Sequence, residues 1–144
     1  MSEIEIRQAS AGDAKAICEI SCEDLGYYCD EASVRSNLEA LDVSREAVFA
    51  AITDGRVVGF VHVGRYNSLY MEPVAAIFGL AVRYSYRHNG AGRRLVSAAE
   101  DWAVEHGIKL MRINSGISRT NAHGLYRNIG YDSEKVQIRF LKKL

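Results

Sequence analysis

The sequence predicts one α/β domain over residues 1–144, with a mixed, mostly antiparallel sheet of six to seven strands and about four flanking helices. Its 144 residues are 48% hydrophobic, which gives one domain enough length to bury a core. In some stretches every second residue is apolar, as in a strand, and in others the apolar residues recur at helical spacing. Asp54-Gly55 joins two apolar stretches and is a strong hairpin signal.

The first half of the chain predicts a strand, two helices and a hairpin. These elements fall at residues 4–9, 14–26, 33–41, 47–52 and 57–63. Residues 65–72 are polar and rich in aromatics, which is typical of a loop. Pro73 then begins a nearly unbroken apolar strand that ends at Val82 and is expected to be covered on both faces.

The second half opens with a helix after Gly92 and ends in strands. The helix has an apolar stripe at helical spacing, and Gly107 is typical of its end. The stripe consists of Leu95, Val96, Ala99, Trp102 and Ala103. A strand at 109–113 and a helix at 118–129 follow. The last strands are predicted at Tyr131 and Lys135–Leu141, where Val136, Ile138 and Phe140 alternate on one face.

Composition excludes several classes of protein. The formal net charge is zero, which argues against a nucleic-acid partner. No apolar run approaches the roughly 18 residues of a membrane span, and no signal peptide opens the chain, so we expect a cytoplasmic protein without a membrane partner. Cys18, Cys22 and Cys29 are expected to be reduced structural thiols with no metal, since the nearest histidine is His62.

The segment Arg87–Leu95 carries the strongest functional signal. It places two glycines and four basic groups within nine residues, between an apolar strand and a helix. No acidic residue occurs from Arg83 to Ala99. Because a helix start is positive, arginines there are unfavourable unless an anion lies among them. The pattern predicts a phosphate site at a strand–turn–helix junction. A dinucleotide-binding turn is the alternative, but its usual context in a first βαβ unit is missing.

Two motifs in the right order resemble the GNAT acetyltransferase superfamily over nearly the whole chain. Arg87, Gly90 and Gly92 fill the family's Gln/Arg-x-x-Gly-x-Gly/Ala coenzyme loop. A second pattern is similar to the small-molecule and aminoglycoside-type branch. It consists of Ser115-Gly116, Arg119, Ala122-His123, Leu125-Tyr126 and Gly130-Tyr131.

The resemblance implies acetyl-CoA as co-substrate and a splayed parallel strand pair in the middle of the sheet. The strand before the loop would pair with the pantetheine arm, and Tyr126 would protonate the leaving thiolate as general acid. The alternative for Tyr126 is a core aromatic. The residues expected to bind the coenzyme are Leu80, Ala81, Val82, Arg87, His88, Asn89, Gly90, Ala91, Gly92, Arg93, Arg119, Asn121 and Tyr126.

The general base and the acceptor pocket are less well defined. Many relatives carry a glutamate on the central strand where this chain has Phe78, so Glu72 is the candidate base beside a water chain. The family's acceptor pocket is walled by two loops that mix tyrosines with acids here, which suits a cationic amine. The candidate substrate contacts are Tyr27, Tyr28, Asp30 and Tyr70.

The resemblance therefore predicts an acetyl-CoA-dependent N-acetyltransferase acting on a primary amine by direct attack in a ternary complex. The acceptor would be a small molecule or a peptide lysine. A covalent cysteine route is disfavoured, because the three cysteines lie far from the motifs in sequence. The alternative function is a non-catalytic acyl-CoA-binding or regulatory module. Dimers are common in the family, so a homodimer is one state to expect.

Overall fold

The computed structural model describes residues 3–133 and 135–144. The chain forms two compact units, one through Ile113 and the other from Asn114 onward. A single functional domain over residues 1–144 stays a prediction.

The first unit is built on a five-stranded sheet whose strands lie side by side in chain order. The strands are β1 (Glu5–Gln8), β2 (Glu46–Thr53), β3 (Arg56–Ser68), β4 (Met71–Val82) and β5 (Met111–Ile113). The helices are α1 (Ala14–Asp24), α2 (Glu31–Glu39) and α3 (Ala91–Glu105). Strands β1 to β4 pair antiparallel, and β5 pairs parallel with β4. The predicted α/β class and the mostly antiparallel sheet are confirmed.

The two hairpins differ in how well the sequence predicted them. Asp54 and Gly55 form the β2–β3 turn with φ values of 52° and 71°, the left-handed values that such a turn needs. The predicted loop at residues 65–72 is wrong, because β3 continues to Ser68 and β4 begins at Met71. Both strands extend beyond the packed core there. Their backbone groups pair with each other, so polar and aromatic side chains can remain at the surface.

The parallel pair separates along its length. Strand β5 pairs only with Ala75–Ile77, whereas β4 continues to Val82. The edge of β4 from Phe78 to Val82 is therefore not covered by β5. The pair lies at the edge of the described sheet rather than in its middle, which corrects the predicted position.

The second unit contains α4 (Thr120–Asn128) and, within residues 114–133 and 135–144, no strand. The predicted strands at Tyr131 and Lys135–Leu141 are thus wrong, and the described sheet has five strands instead of six or seven. The alternating side chains of Val136, Ile138 and Phe140 are 76%, 78% and 87% exposed. Their period-two pattern favours a strand, but no described strand supplies backbone partners for it.

The first unit packs helices on both faces of its sheet. Gly59 of β3 faces α3, because a Cβ there would lie 3.2 Å from the Leu95 side chain. The next residue, Phe60, packs with Ile17 and Ile20 of α1 on the opposite face. The predicted α3 stripe is buried throughout. Among the described residues, no helix has the length and apolar character that crossing a membrane requires.

Candidate active site

The loop between β4 and α3 has two left-handed residues. His88 has a φ of 66° and Gly90, the N-cap of α3, has a φ of 92°. Only glycine adopts the second value without strain, and nothing lies within 4 Å of where its Cβ would be. The backbone at Gly90 is therefore open to a close approach by another molecule.

The start of α3 is an uncompensated positive helix end. The first intrahelical bond runs from the Arg94 N–H to the Gly90 carbonyl at 3.1 Å, so the N–H groups of Ala91, Gly92 and Arg93 have no partner inside the helix. Gly90 offers no capping side chain, and the first turn contains no acid. This arrangement is suited to an anion.

Arg87 and Asp24 hold the loop against the end of α1. The Nε of Arg87 donates to the Val82 carbonyl at 3.0 Å, and its Nη2 lies 3.5 Å from Asp24 Oδ1. The same carboxylate oxygen accepts from the Tyr84 N–H at 3.1 Å. Asp24 is nearly buried, so Arg87 is tied to the protein and has only part of its guanidinium free for a ligand. Sequence reasoning missed Asp24, because the contact spans 63 residues.

The other arginines around the loop differ in what they contact. Arg94 donates to the Ile4 carbonyl and so turns toward β1. Arg83 is buried, with its Nε 3.0 Å from the Val57 carbonyl and its Nη2 3.2 Å from Glu19 Oε2. Arg93 is exposed on the first turn of α3. The local positive charge at the helix start therefore comes from Arg93 and the free part of Arg87.

The last residues of β4 have one backbone edge that no described strand pairs, although the Val82 carbonyl on this segment accepts from Arg87. Leu80, Ala81 and Val82 pair with β3 on one side, opposite Val61, Phe60 and Gly59. Their other side extends past the end of β5. The predicted pantetheine-binding segment thus lies on a strand with an open edge, directly before the anion-binding loop.

The second unit places several predicted residues around α4. Tyr126 is half-buried, and burial raises the pKa of its hydroxyl while the charge of Arg119 opposes this rise. His123 Nε2 lies 3.1 Å from Ser115 Oγ and 3.0 Å from the Gly116 carbonyl, which ties α4 to the preceding loop. His123 therefore has a structural role. Arg119 is the N-cap of α4, and Asn121 is exposed.

The predicted substrate contacts occupy different parts of the first unit. Tyr27 and Tyr28, in the α1–α2 connector, are 58% and 96% exposed. Asp30 is the N-cap of α2 and accepts from the Ser33 N–H at 2.9 Å and from the Ser33 hydroxyl at 3.0 Å. These bonds lower the pKa of Asp30 and commit its carboxylate to the helix. Tyr70 lies in the two-residue β3–β4 turn, at the far end of β4 from Val82.

Glu72 is poorly placed to act as the base. It is exposed and is the second residue of β4, eight positions before Leu80. An extended strand rises about 3.3 Å per residue, which separates these two positions by roughly 26 Å. Glu72 therefore lies far from the β4 segment predicted to hold the thioester.

A histidine–glutamate pair that the sequence did not reveal lies beside Phe78. His62 Nε2 and Glu46 Oε1 are 2.7 Å apart, with side chains about one-third exposed. The Phe78 ring contacts the His62 ring edge-on, with centroids 4.9 Å apart. His62 pairs with Val48 of the α1-facing core, so it lies on the α1 side of the sheet. In the neutral tautomer that donates the Nε2 proton to the carboxylate, Nδ1 carries the lone pair that can accept a proton.

Comparison with known proteins decides the family. The model of the acetyltransferase (GNAT) family matches residues 14–131. The chain belongs to this family. As a GNAT protein it is an N-acetyltransferase, and the sequence-based assignment is confirmed.

The curated relatives agree over most of the chain. An uncharacterized N-acetyltransferase, YhfO of Bacillus subtilis, is 29% identical over 137 residues, covering 91% of each chain. An aminoglycoside N(6')-acetyltransferase type 1 of Stenotrophomonas maltophilia is 28% identical over 141 residues, covering 94% of this chain and 90% of the relative. The predicted similarity to the aminoglycoside-type branch is confirmed by the second relative.

Solved structures confirm the fold. The aminoglycoside N-acetyltransferase AAC(6')-Iy in complex with CoA superposes with a TM-score of 0.84 at 22% identity, covering 100% of this chain and 97% of that one. The same enzyme bound to a bisubstrate analogue, CoA-S-monomethyl-acetylneamine, also gives 0.84 at 22% identity, covering 99% and 100%.

Proposed function

We propose that this GNAT protein transfers the acetyl group of acetyl-CoA directly to a primary amine of a small, cationic acceptor. The observation that carries the proposal is the start of α3, where an uncapped, acid-free helix end follows the open edge of β4. These two features suit the two parts of the co-substrate, a charged diphosphate and an amide-rich arm. The CoA complexes of AAC(6')-Iy support this interpretation.

In the proposed complex the diphosphate binds to the N–H groups that begin α3. Gly90 permits close approach, and Arg93 with the free part of Arg87 adds charge. The pantetheine amides pair with the exposed edge of β4. The coenzyme-binding set remains the predicted one, with Arg87 also acting as the residue that fixes the loop through Asp24. Arg119 and Asn121 stay predicted contacts.

Two groups are proposed to move protons during transfer. His62 Nδ1 accepts a proton from the acceptor ammonium or amine, and Glu46 stabilises the resulting imidazolium at 2.7 Å. The amine nitrogen forms a bond to the thioester carbon, and the C–S bond then breaks. Tyr126 donates its hydroxyl proton to the departing thiolate. Because burial raises the pKa of Tyr126, its hydroxyl keeps its proton until the thiolate forms.

The proposed acceptor is an amino sugar or a similar molecule with several amines. Tyr27 and Tyr28 present exposed rings that can contact a cation through their faces. The aminoglycoside acetyltransferase of Stenotrophomonas maltophilia supports this class of acceptor. Polyamines and peptide lysines carry the same chemistry and belong in the same test.

A comparison of ligands tests the diphosphate site. CoA and dephospho-CoA should both raise the thermal midpoint, because a ligand bound only to the native state stabilises it. Pantetheine, which lacks the diphosphate, should raise it far less at equal concentration. Equal shifts for CoA and pantetheine, or no shift with CoA, would contradict the proposed site.

A panel of amines tests transfer. Release of free thiol from acetyl-CoA should depend on an added amine, and an aminoglycoside should give a higher kcat/KM than a polyamine or a lysine peptide. If CoA binds but no amine releases thiol, the chain would be an acyl-CoA-binding module instead. We further propose a cytoplasmic protein that forms homodimers, and the exposed apolar residues near the carboxyl terminus support self-association.

A further inference from the structure

The three cysteines of the chain converge on one point. Cys18 and Cys22 lie one turn apart on α1, and Cys29 lies in the α1–α2 connector. The Sγ of Cys29 is 3.6 Å from that of Cys18 and 3.7 Å from that of Cys22. All three sulfur atoms lie within 4.8 Å of one another. The sequence predicted reduced structural thiols without a metal at Cys18, Cys22 and Cys29, and it did not show that the connector folds back to bring Cys29 to the other two.

The connector is shaped to bring Cys29 back to the helix. Gly26 has a φ of 75°, which reverses the chain after α1. The Tyr27 N–H then donates to the Ser21 carbonyl at 3.1 Å. The Sγ of Cys29 lies 3.7 Å from the Cys18 carbonyl, and the Sγ of Cys18 lies 3.4 Å from the Cys29 carbonyl. These contacts hold the third thiol over the gap between the other two.

The sulfur spacing suits a tetrahedral thiolate site. A zinc–sulfur bond of about 2.3 Å places two sulfur ligands of a tetrahedron about 3.8 Å apart. Both sulfur–sulfur distances from Cys29, 3.6 and 3.7 Å, are close to that value. Cys22 is exposed and the other two thiols are half-buried, so the cluster opens to solvent on one side. A fourth position on that side can hold a water molecule.

We propose that Cys18, Cys22 and Cys29 form a binding site for a thiophilic divalent cation of the zinc type. Three sulfur–metal bonds form as three S–H bonds break, and three protons are released to solvent. The site then carries one net negative charge, with water as the fourth ligand. Because the first two ligands belong to α1 and the third to the connector, the ion cross-links them.

A metal ion that binds here must displace the thiol protons. Burial, together with the neighbouring thiols, raises the pKa of Cys29 to about 12, and burial also raises that of Cys18. A bound divalent cation stabilises the thiolates directly. The proposal does not rest on the proposed acetyl transfer, and its test does not use acetyltransferase activity.

Zinc titration of the reduced full chain under anaerobic conditions tests the proposal. The chain has only three cysteines, so a thiol reagent reports on the cluster alone. We expect one zinc ion per chain to protect all three thiols, and cadmium to give a charge-transfer absorbance of three thiolates. A reduced chain that binds no zinc, or three thiols that react equally with and without zinc, would overturn the site.

Single serine variants locate the ligands. Cys18→Ser, Cys22→Ser and Cys29→Ser should each weaken zinc binding at least tenfold, and Tyr28→Phe in the same connector should not. Zinc affinity unchanged in Cys29→Ser would contradict the three-cysteine site. The cadmium absorbance of the wild-type chain counts the thiolates directly. The proposal is therefore tested even if a serine variant misfolds. Rapid formation of a disulfide that zinc does not prevent would also overturn the proposal.

Discussion

At the scale of single residues, Tyr126 carries the clearest prediction. Tyr126→Phe removes the proposed proton donor and keeps the ring, so kcat should fall about 10²-fold while CoA binding stays within a factor of two. Since burial raises the pKa of Tyr126, its hydroxyl stays protonated past the ordinary phenol value of 10.0. The midpoint of any loss of wild-type activity through Tyr126 ionisation should therefore lie above that pH. Thiol release across a pH series measures both effects, and an unchanged kcat in the variant would remove the general-acid role.

The His62–Glu46 pair leads to a second residue-scale prediction. His62→Gln retains a donor to the Glu46 carboxylate but cannot accept a proton, so kcat should fall about 10²-fold. The KM for acetyl-CoA should not change. Glu72→Gln is the matched control, because Glu72 lies at the other end of β4 and should leave kcat unaltered. If Glu72→Gln lost activity and His62→Gln did not, Glu72 rather than His62 would be the general base.

Residue-scale contacts show why the sequence revealed only part of the candidate site. The Arg-x-x-Gly-x-Gly loop was predictable, because its residues are neighbours in sequence and their conformations are local. The Asp24–Arg87 and Glu46–His62 contacts were not, since each depends on how distant elements pack or on strand register. The sequence also counted Arg94 among the basic groups of Arg87–Leu95, whereas its guanidinium donates to the Ile4 carbonyl.

At the scale of elements, the start of α3 predicts opposite effects on stability and binding. Arg93→Glu puts an acid at the third position of the helix, where it interacts favourably with the helix dipole. Without ligand the free energy of unfolding should rise by about 0.5 kcal/mol. The same acid repels a diphosphate, so CoA affinity should fall at least tenfold. Denaturant unfolding and CoA titration measure the two quantities.

A matched variant separates this effect from net charge. Val104→Glu adds an acid to an exposed position about three turns further along the same helix. It should change CoA affinity by less than threefold, because the dipole field weakens within the first turn. If both variants lost CoA affinity equally, overall charge rather than the helix start would explain binding.

The junction of β1 and α1 predicts a dependence of stability on pH. Asp13 accepts from Arg7 at 2.8 and 2.9 Å and from the Ser10 N–H at 2.9 Å. These bonds lower the pKa of Asp13 from the ordinary value of 3.8. A lowered pKa in the folded state gives stability that is present above the unfolded value and disappears as pH falls through the folded value.

Asp13→Asn should therefore cost about 1 kcal/mol at neutral pH. This cost should shrink as the pH falls below the unfolded value of 3.8, and it should disappear once the pH is below the lowered pKa of the folded state. Urea unfolding of both proteins at a series of pH values measures the difference. Asp101→Asn, on the exposed side of α3, removes an acid that takes no part in this ion pair and serves as the control. A constant cost at every pH would show that the ion pair is not its source.

At the scale of the whole molecule, periodicity predicted the elements of the first unit and failed at the carboxyl terminus. Helices bury one stripe and the inner strands bury residues on both faces, so their pattern and their packing agree. Residues 135–141 have an equally clear alternation, but Val136, Ile138 and Phe140 are exposed. An alternating pattern indicates a strand that needs a partner strand, but that partner strand can belong to another chain.

A second copy of the chain is the partner that we predict for this segment. The protein should elute with twice the 16.0 kDa mass of one chain in size-exclusion chromatography with light scattering. Ile138→Glu places a charge on the apolar face and should produce monomers, because a buried unpaired charge is costly. Gln137→Glu adds the same charge to the opposite face and should preserve the dimer. A monomeric wild type would contradict the predicted dimer. If both variants were monomeric, added charge rather than the apolar face of Val136, Ile138 and Phe140 would explain the dissociation.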